Sequence, residues 1–239
     1  MKILCIVQAR MGSSRLPGKV LKEINNNPMI YYTLTRLKKS RYIDEIVLAT
    51  SDKEIDNSLA EYVEGIGFEV FRGSEENVLE RYKETAEKYC GDIVIRVTGD
   101  CPLIDPIVVD NAITKFLMYK NDYLRLDVPE TFVRGFDVEV FTREVLNKVY
   151  NICCKDNNDS YNYNMYREHV TYYIYKHPKD FNIGFLRGEE PFNIKLNLSV
   201  DREEDFEIVR CILENSYINI LGENIDIRDI VRYCHNYLI

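Results

Sequence analysis

Three cations stand close together in the stretch VQARMGSSRLPGKVL, residues 7–21: Arg10, Arg15 and Lys19, interleaved with Gly12, Ser13, Ser14 and Gly18. An apolar run, 3–7, precedes them. A strand that opens into a Gly-rich turn lets backbone N–H groups close on an anion, and nearby cations add the fixed charge a polyphosphate needs. The plainer alternative is a basic surface turn. Two familiar phosphate loops do not fit. The G-x-x-x-x-G-K-[ST] pattern has four residues between its glycines, but five lie between Gly12 and Gly18, and Val20 replaces the magnesium-binding hydroxyl. The dinucleotide pattern G-x-G-x-x-G is also absent.

Carboxylates would complete such chemistry. RVTGDCPLIDP (96–106) places Asp100 just after Gly99, and LSVDREEDFEIV (198–209) carries Asp201. A hard divalent cation bridging phosphate oxygens takes one or two carboxylates. Each residue has a simpler role open to it. Gly99-Asp100 can be a turn ahead of Pro102, and Asp201 can cap the helix that follows. Glu204 and Asp205 suit a solvated first helical turn. In FRGSEENVLERY (71–82), Asn77 offers a donor and an acceptor to a base edge, or simply starts a helix.

With these stretches in hand, a resemblance emerges. QARMGSSRLPGKVL resembles the A-R-x-x-S-x-R-L-P-G-K loop of the CMP-Kdo synthetases. From residue 2 to about 210 the chain is similar to sugar-nucleotide cytidylyltransferases of that superfamily, nearest in form to their SpsF-like, spore-coat polysaccharide branch. The G-D-x-P-L, V-D-T-P-E-D-L and G-S-x-x-N-V-L-x-R motifs have counterparts at 99–103, 200–206 and 73–81, with Arg202-Glu203 replacing Thr-Pro.

The resemblance implies a nucleotide site of Gln8, Ala9, Arg10, Gly12, Ser13, Arg15, Lys19, Asn77 and Gly99. Arg10, Arg15, Lys19 and Asp100 would be its catalytic members, and Asp100 and Asp201 would be ligands of Mg2+. RGFDVEVF (134–141) and REHVTYYIYKHP (167–178) also resemble the SpsF-like branch. There Arg134, Asp137, Glu139, Arg167 and His169 would meet the acceptor or build a homodimer; His169 can equally be a structural, hydrogen-bonded histidine. Cys101, where the Kdo relatives carry Glu, reads as a small packed residue.

The implied reaction takes CTP and a sugar acid or related acceptor to a CMP-linked product and pyrophosphate, in surface or spore-coat polysaccharide synthesis. An anionic acceptor would call for arginine, and the sequence does not choose among Arg125, Arg134 and Arg167. Two other readings remain. One is a GT-A-type glycosyltransferase using a nucleotide sugar, although Asp100-Cys101-Pro102 is not an Asp-x-Asp motif. The other is a non-catalytic nucleotide-binding protein.

Strand-like and helix-like runs alternate through the first half and would position these side chains. Strands are expected at 3–7, 45–50, 68–71 and 92–97. Helices are expected at 28–40 with Pro28 as first residue, and at 53–65, 75–89 and 106–119. The order predicts an α/β fold: a doubly wound, mostly parallel central sheet, which the resemblance assigns to the GT-A-like nucleotide-diphospho-sugar transferase type. Beyond residue 120 the alternating DVEVF (137–141) suggests a small mixed subregion. The stretch 151–166, rich in Asn, Asp and Tyr, reads as a loop, either a lid or a plain insertion. A strand is expected at 193–200, and helices at 167–176, 202–215 and 226–237.

One domain over 1–239 is the economical organisation, with a nucleotide half (1–120), an acceptor and dimerisation part (121–192) and a closing strand with helices (193–239). The 239 residues are 46% hydrophobic with a net charge of −8, which disfavours a generic nucleic-acid binder. No apolar run reaches membrane-spanning length. The 7 Cys include no C-x-x-C pair and share no metal spacing with the 3 His, so reduced thiols in the cytoplasm are expected and zinc is not.

Overall fold

The structure, a computed structural model, describes residues 1–154, 161–188, 192, 196–215 and 226–237. Its centre is a seven-stranded sheet in the order β5-β4-β1-β6-β8-β7-β9. The strands are β1 (Ile3–Gln8), β4 (Glu45–Ser51), β5 (Glu69–Gly73), β6 (Ile93–Thr98), β7 (Tyr123–Leu126), β8 (Glu139–Thr142) and β9 (Ile183–Leu186). β1 runs parallel to β4 and β6, β4 to β5, and β7 to β9; β8 is antiparallel to both its neighbours. The mostly parallel sheet is thus as expected. After residue 120 the chain adds β7, β8 and β9 to this same sheet.

Alternate strand residues feed two apolar layers. Cys5, Val7, Ile95, Val97 and Leu124 meet helices α1 (Met29–Leu37), α2 (Asn57–Gly65), α4 (Pro106–Tyr119), α8 (Glu203–Glu214) and α9 (Ile227–Tyr237). Leu4, Ile6, Val94, Tyr123 and Phe141 meet α3 (Val78–Lys88) and α5 (Arg143–Cys154) on the other face. Burial on both faces explains why β1 and β6 are almost wholly apolar. Asp105 caps α4, accepting from the N–H groups of Ile107 at 2.7 Å and Val108 at 3.1 Å, with Pro106 as the first helical residue.

Several boundaries differ from the sequence reading. Pro28 caps α1 instead of opening it, because it belongs to a short hairpin of β2 (Glu23–Ile24) and β3 (Asn27–Pro28). Asn25 and Asn26 turn that hairpin with φ of 49° and 64°, a conformation asparagine tolerates. Residues 151–166 are not one loop. α5 continues to Cys154 and α6 (Tyr161–Glu168) follows, while 155–160 lie outside the described residues. The helix expected at 167–176 is split by a turn before α7 (Tyr172–Lys176). Of the strand expected at 193–200, residues 193–195 are outside the described set. Over 196–200 there is a single bridge between Asn197 and Arg134. Among the described residues, no helix is long and apolar enough to cross a membrane.

Candidate active site

From β1 the chain crosses to β4 and β5 on one side, and then returns to β6 on the other. The carboxyl ends of β1 and β6 therefore flank the point where the order reverses, the usual ligand crevice of such sheets. The loop leaving β1 is held from beneath by Asp56, which is 1% exposed. Asp56 Oδ1 accepts from Met11 N–H at 2.6 Å, and its Oδ2 takes the N–H and hydroxyl of Ser51 at the end of β4. Met11 C=O then accepts from Ser13 N–H at 2.8 Å and Gly18 N–H at 3.0 Å, which closes the loop. Gly18 sits at φ 70°, where glycine is favoured, and delivers Lys19 into a short 3-10 turn. Sequence reasoning passed over Asp56. A lone acid in a helical pattern carries no motif, and its partners are supplied only by the fold.

Lys19 is the convergence point. Its Nζ donates to Asp100 Oδ2 at 3.0 Å, Asp201 Oδ1 at 3.2 Å and Val200 C=O at 2.5 Å. Arg15 Nη2 adds a contact to Asp201 Oδ1 at 2.9 Å. Backbone bonds hold the converging segments: Gly99 N–H to Gln8 C=O at 2.8 Å, and Val200 N–H to Asp100 C=O at 2.8 Å. Gly99 is required by this approach, since a Cβ there would lie 2.7 Å from that of Ala9. A cavity of about 230 Å³ results, walled by the 8–15 loop, Lys19, Gly99, Asp100 and Asp201.

Asp201 does not cap α8. Arg202 is the cap residue, and Asp205 Oδ2 reaches back to accept from the N–H groups of Asp201 at 3.0 Å and Arg202 at 2.9 Å. Asp205, expected as a merely solvated acid, is what sets the chain around Asp201. The Asp201 carboxylate is thereby left to the cations. Asp100 and Asp201 both touch one ammonium, so a single metal ion could meet both. An all-oxygen pair suits a hard cation such as Mg2+.

The other expected residues are placed as follows. Arg10 lines the cavity, and its Nη1 pairs with Glu75 at 3.2 Å. Gln8, Ala9, Gly12 and Ser13 line it too. Asn77 caps α3, its Oδ1 accepting from Glu80 N–H at 3.1 Å, and is not part of this cavity wall. Cys101 is buried against Thr98, and burial pushes its thiol well above the usual range, which fits a packed residue.

Asp137 and Glu139 line an adjoining cavity with Arg96, Arg125 and Tyr175. Glu139 is 8% exposed and serves a buried network: it pairs with Arg96 at 2.6 Å and accepts from Tyr123, Thr171 and Tyr175. Burial alone would raise its pKa, but Arg96 and the tyrosine hydroxyls outweigh that and hold it below the ordinary value. Asp137 makes no ion pair among the described residues, and burial raises its pKa against the opposing pull of the Gly135 N–H and of Arg134. Arg134 is exposed beside the Asn197 bridge. Arg167 lies in the last turn of α6, and exposed His169 comes just after that helix with its ring 6.1 Å from that of Tyr172. None of these last three joins either cavity wall.

Similarity to known proteins agrees with this geometry. A family model described as Cytidylyltransferase matches residues 4–224. An uncharacterised protein of Methanocaldococcus jannaschii is 35% identical over 234 residues, covering 98% of this chain and 90% of the relative. The spore coat polysaccharide biosynthesis protein SpsF of Bacillus subtilis is 36% identical over 220 residues, 90% of this chain and 87% of the relative. The solved structure of a cytidylyltransferase from Leptospira borgpetersenii aligns with a TM-score of 0.88 at 31% identity, over 99% of this chain and 94% of that one. With a loop of cations at the switch point of the sheet and a family match over most of its length, this chain belongs to the cytidylyltransferase family of nucleotidyltransferases.

Proposed function

We propose that the chain transfers CMP from CTP to a small hydroxyl-bearing acceptor, a sugar acid or a related molecule, with release of pyrophosphate, in surface or spore-coat polysaccharide synthesis. The observation that carries this reading is the meeting of Lys19, Arg15, Asp100 and Asp201 at the mouth of the 8–18 loop. Loop N–H groups and cations receive the triphosphate. The acceptor oxygen attacks the α-phosphorus as the bond to the β-phosphate oxygen breaks. Arg10, Arg15 and Lys19 stand where the leaving pyrophosphate gathers charge, and preorganised charge of this kind is usually the largest catalytic term.

The Arg10 and Arg15 side chains are 42% and 58% exposed in their ion pairs, and such pairs are worth little, so both can be traded for phosphate oxygens. Asp100 and Asp201 would hold Mg2+, which supplies Lewis-acid neutralisation of phosphate charge when bound. Lys19, already between the two carboxylates, orients them.

Thermal unfolding with CTP, UTP, ATP or GTP, with and without Mg2+, tests the reading. A ligand at 100 times its dissociation constant adds about 2.7 kcal/mol to the folded state. Stabilisation by CTP, strengthened by Mg2+, is expected. Stabilisation by another nucleotide alone would change the donor, and Asp100→Ala that leaves Mg2+-dependent stabilisation intact would remove the metal assignment.

A further inference from the structure

Beside the phosphate-loop cavity lies the second one, of about 200 Å³. Thr98 lines both. Arg96, in the second, donates through Nη2 at 3.4 Å to Oε1 of Gln8, in the wall of the first. A molecule in the second cavity therefore sits next to whatever the loop holds.

Strand register places Arg96, Glu139 and Arg125 side by side across β6, β8 and β7. One carboxylate thus lies between two guanidinium groups, and it is not shared. Arg96 takes it at 2.6 Å, and hydroxyls fill the remaining positions of Glu139. Arg125 is left outside that pair. Its guanidinium carbon lies 5.0 Å from the Tyr175 ring centre and 5.3 Å from that of Phe185. Among the described residues it makes neither an ion pair nor a hydrogen bond, and its Nε is buried without a partner. Ring contacts occupy the faces of a guanidinium, whereas its N–H donors lie in the plane, and the four on the terminal nitrogens stay available. Such a held, unspent fork matches a carboxylate or a phosphate.

The same wall offers the opposite polarity. Asp137 Oδ2 accepts from Gly135 N–H at 2.9 Å, and among the described residues its other oxygen makes no hydrogen bond. With Thr98 it can receive sugar hydroxyls while repelling a second anion. We propose that this cavity is the acceptor subsite and that Arg125 binds the acceptor's anionic group, a carboxylate or a phosphate, and so selects against neutral sugars. The inference rests on the cytidylyl-transfer reading above. It also selects among the arginines, since Arg134 and Arg167 do not line the cavity.

Arginine side-chain NMR on the full chain tests it, with the Arg125 Nε–H signal assigned by its loss in Arg125→Gln. Gluconate, glucose 6-phosphate and neutral sorbitol are titrated in turn. One of the two anions is expected to shift that signal saturably while sorbitol does not; which anion succeeds separates a sugar acid from a sugar phosphate. By calorimetry Arg125→Gln should weaken that anion about ten-fold or more, and Arg125→Lys, which keeps charge without the fork, by less. No shift with either anion, an equal shift with sorbitol, or unchanged binding by Arg125→Gln overturns the proposal. If Arg125→Gln fails to fold, the wild-type titration and Arg125→Lys still decide. Stabilisation of the wild type by CTP, measured separately, shows whether the subsite alone or the underlying reading has failed.

Discussion

The Lys19 side chain is only 10% exposed, yet it serves two carboxylates on different segments of the chain. Its removal would leave Asp100 and Asp201 facing each other with Arg15 as the remaining cation. Those two side chains are 21% and 32% exposed, so water can solvate them, and the stability cost of Lys19→Met should stay near 1 kcal/mol. The catalytic cost should be larger, because a preorganised charge at the developing negative charge is lost. A fall of about 10²–10³ in kcat/KM is expected. Pyrophosphate release and urea unfolding on the same variant measure the two effects. A variant that turns over nearly as well as wild type would show that Lys19 is only a strut. Lys19 and Asp100 were legible because their spacing matches a motif. Asp56 was not, since a buried acid that holds Met11 and Ser51 is recognisable only when the loop and β4 are seen together.

At the scale of elements, the amino end of α8 is where local structure and chemistry meet. Asp205 satisfies two backbone donors at once, and one of them belongs to Asp201. Asp205→Ala should cost about 1 kcal/mol of stability as a lost cap. It should also loosen Asp201 and so weaken the Mg2+-dependent part of CTP stabilisation, leaving the metal-free part nearly unchanged. Thermal scans with CTP, with and without Mg2+, check this, and equal weakening in both would detach Asp205 from the proposed Mg2+ site. The elements that sequence reading found, such as β1 and α4, are long, apolar or marked by a proline start. Those it missed have weak local signals. β7 and β9 are four residues each and gain their identity by pairing with each other. The polar, tyrosine-rich α6 is supported by ring contacts of Tyr166 with Tyr172 and Tyr173, which no periodicity announces.

For the molecule as a whole, Glu139 is the carboxylate on which acid stability should depend most visibly. It joins β8 to β6 through Arg96, to β7 through Tyr123, and to the 171–175 segment through Thr171 and Tyr175. The resemblance of RGFDVEVF to the SpsF-like branch presented it as an acceptor or dimer contact; its bonds to Arg96, Tyr123, Thr171 and Tyr175 join segments far apart in the chain, which no local pattern announces. Its pKa is depressed in the folded state, so the unfolded chain binds its proton more readily. The stabilisation is therefore fully present above the unfolded value of about 4.3, and is lost as pH falls through the lower folded value. Glu139→Gln should cost about 3–5 kcal/mol at neutral pH, because it strands a buried Arg96 without its anion. The gap between wild type and Glu139→Gln should be constant above about pH 5 and should close as the solution is acidified. Urea unfolding at a series of pH values measures that gap. A gap that persists unchanged into acid would mean that hydrogen-bond shape, and not charge, is what Glu139 contributes to the sheet.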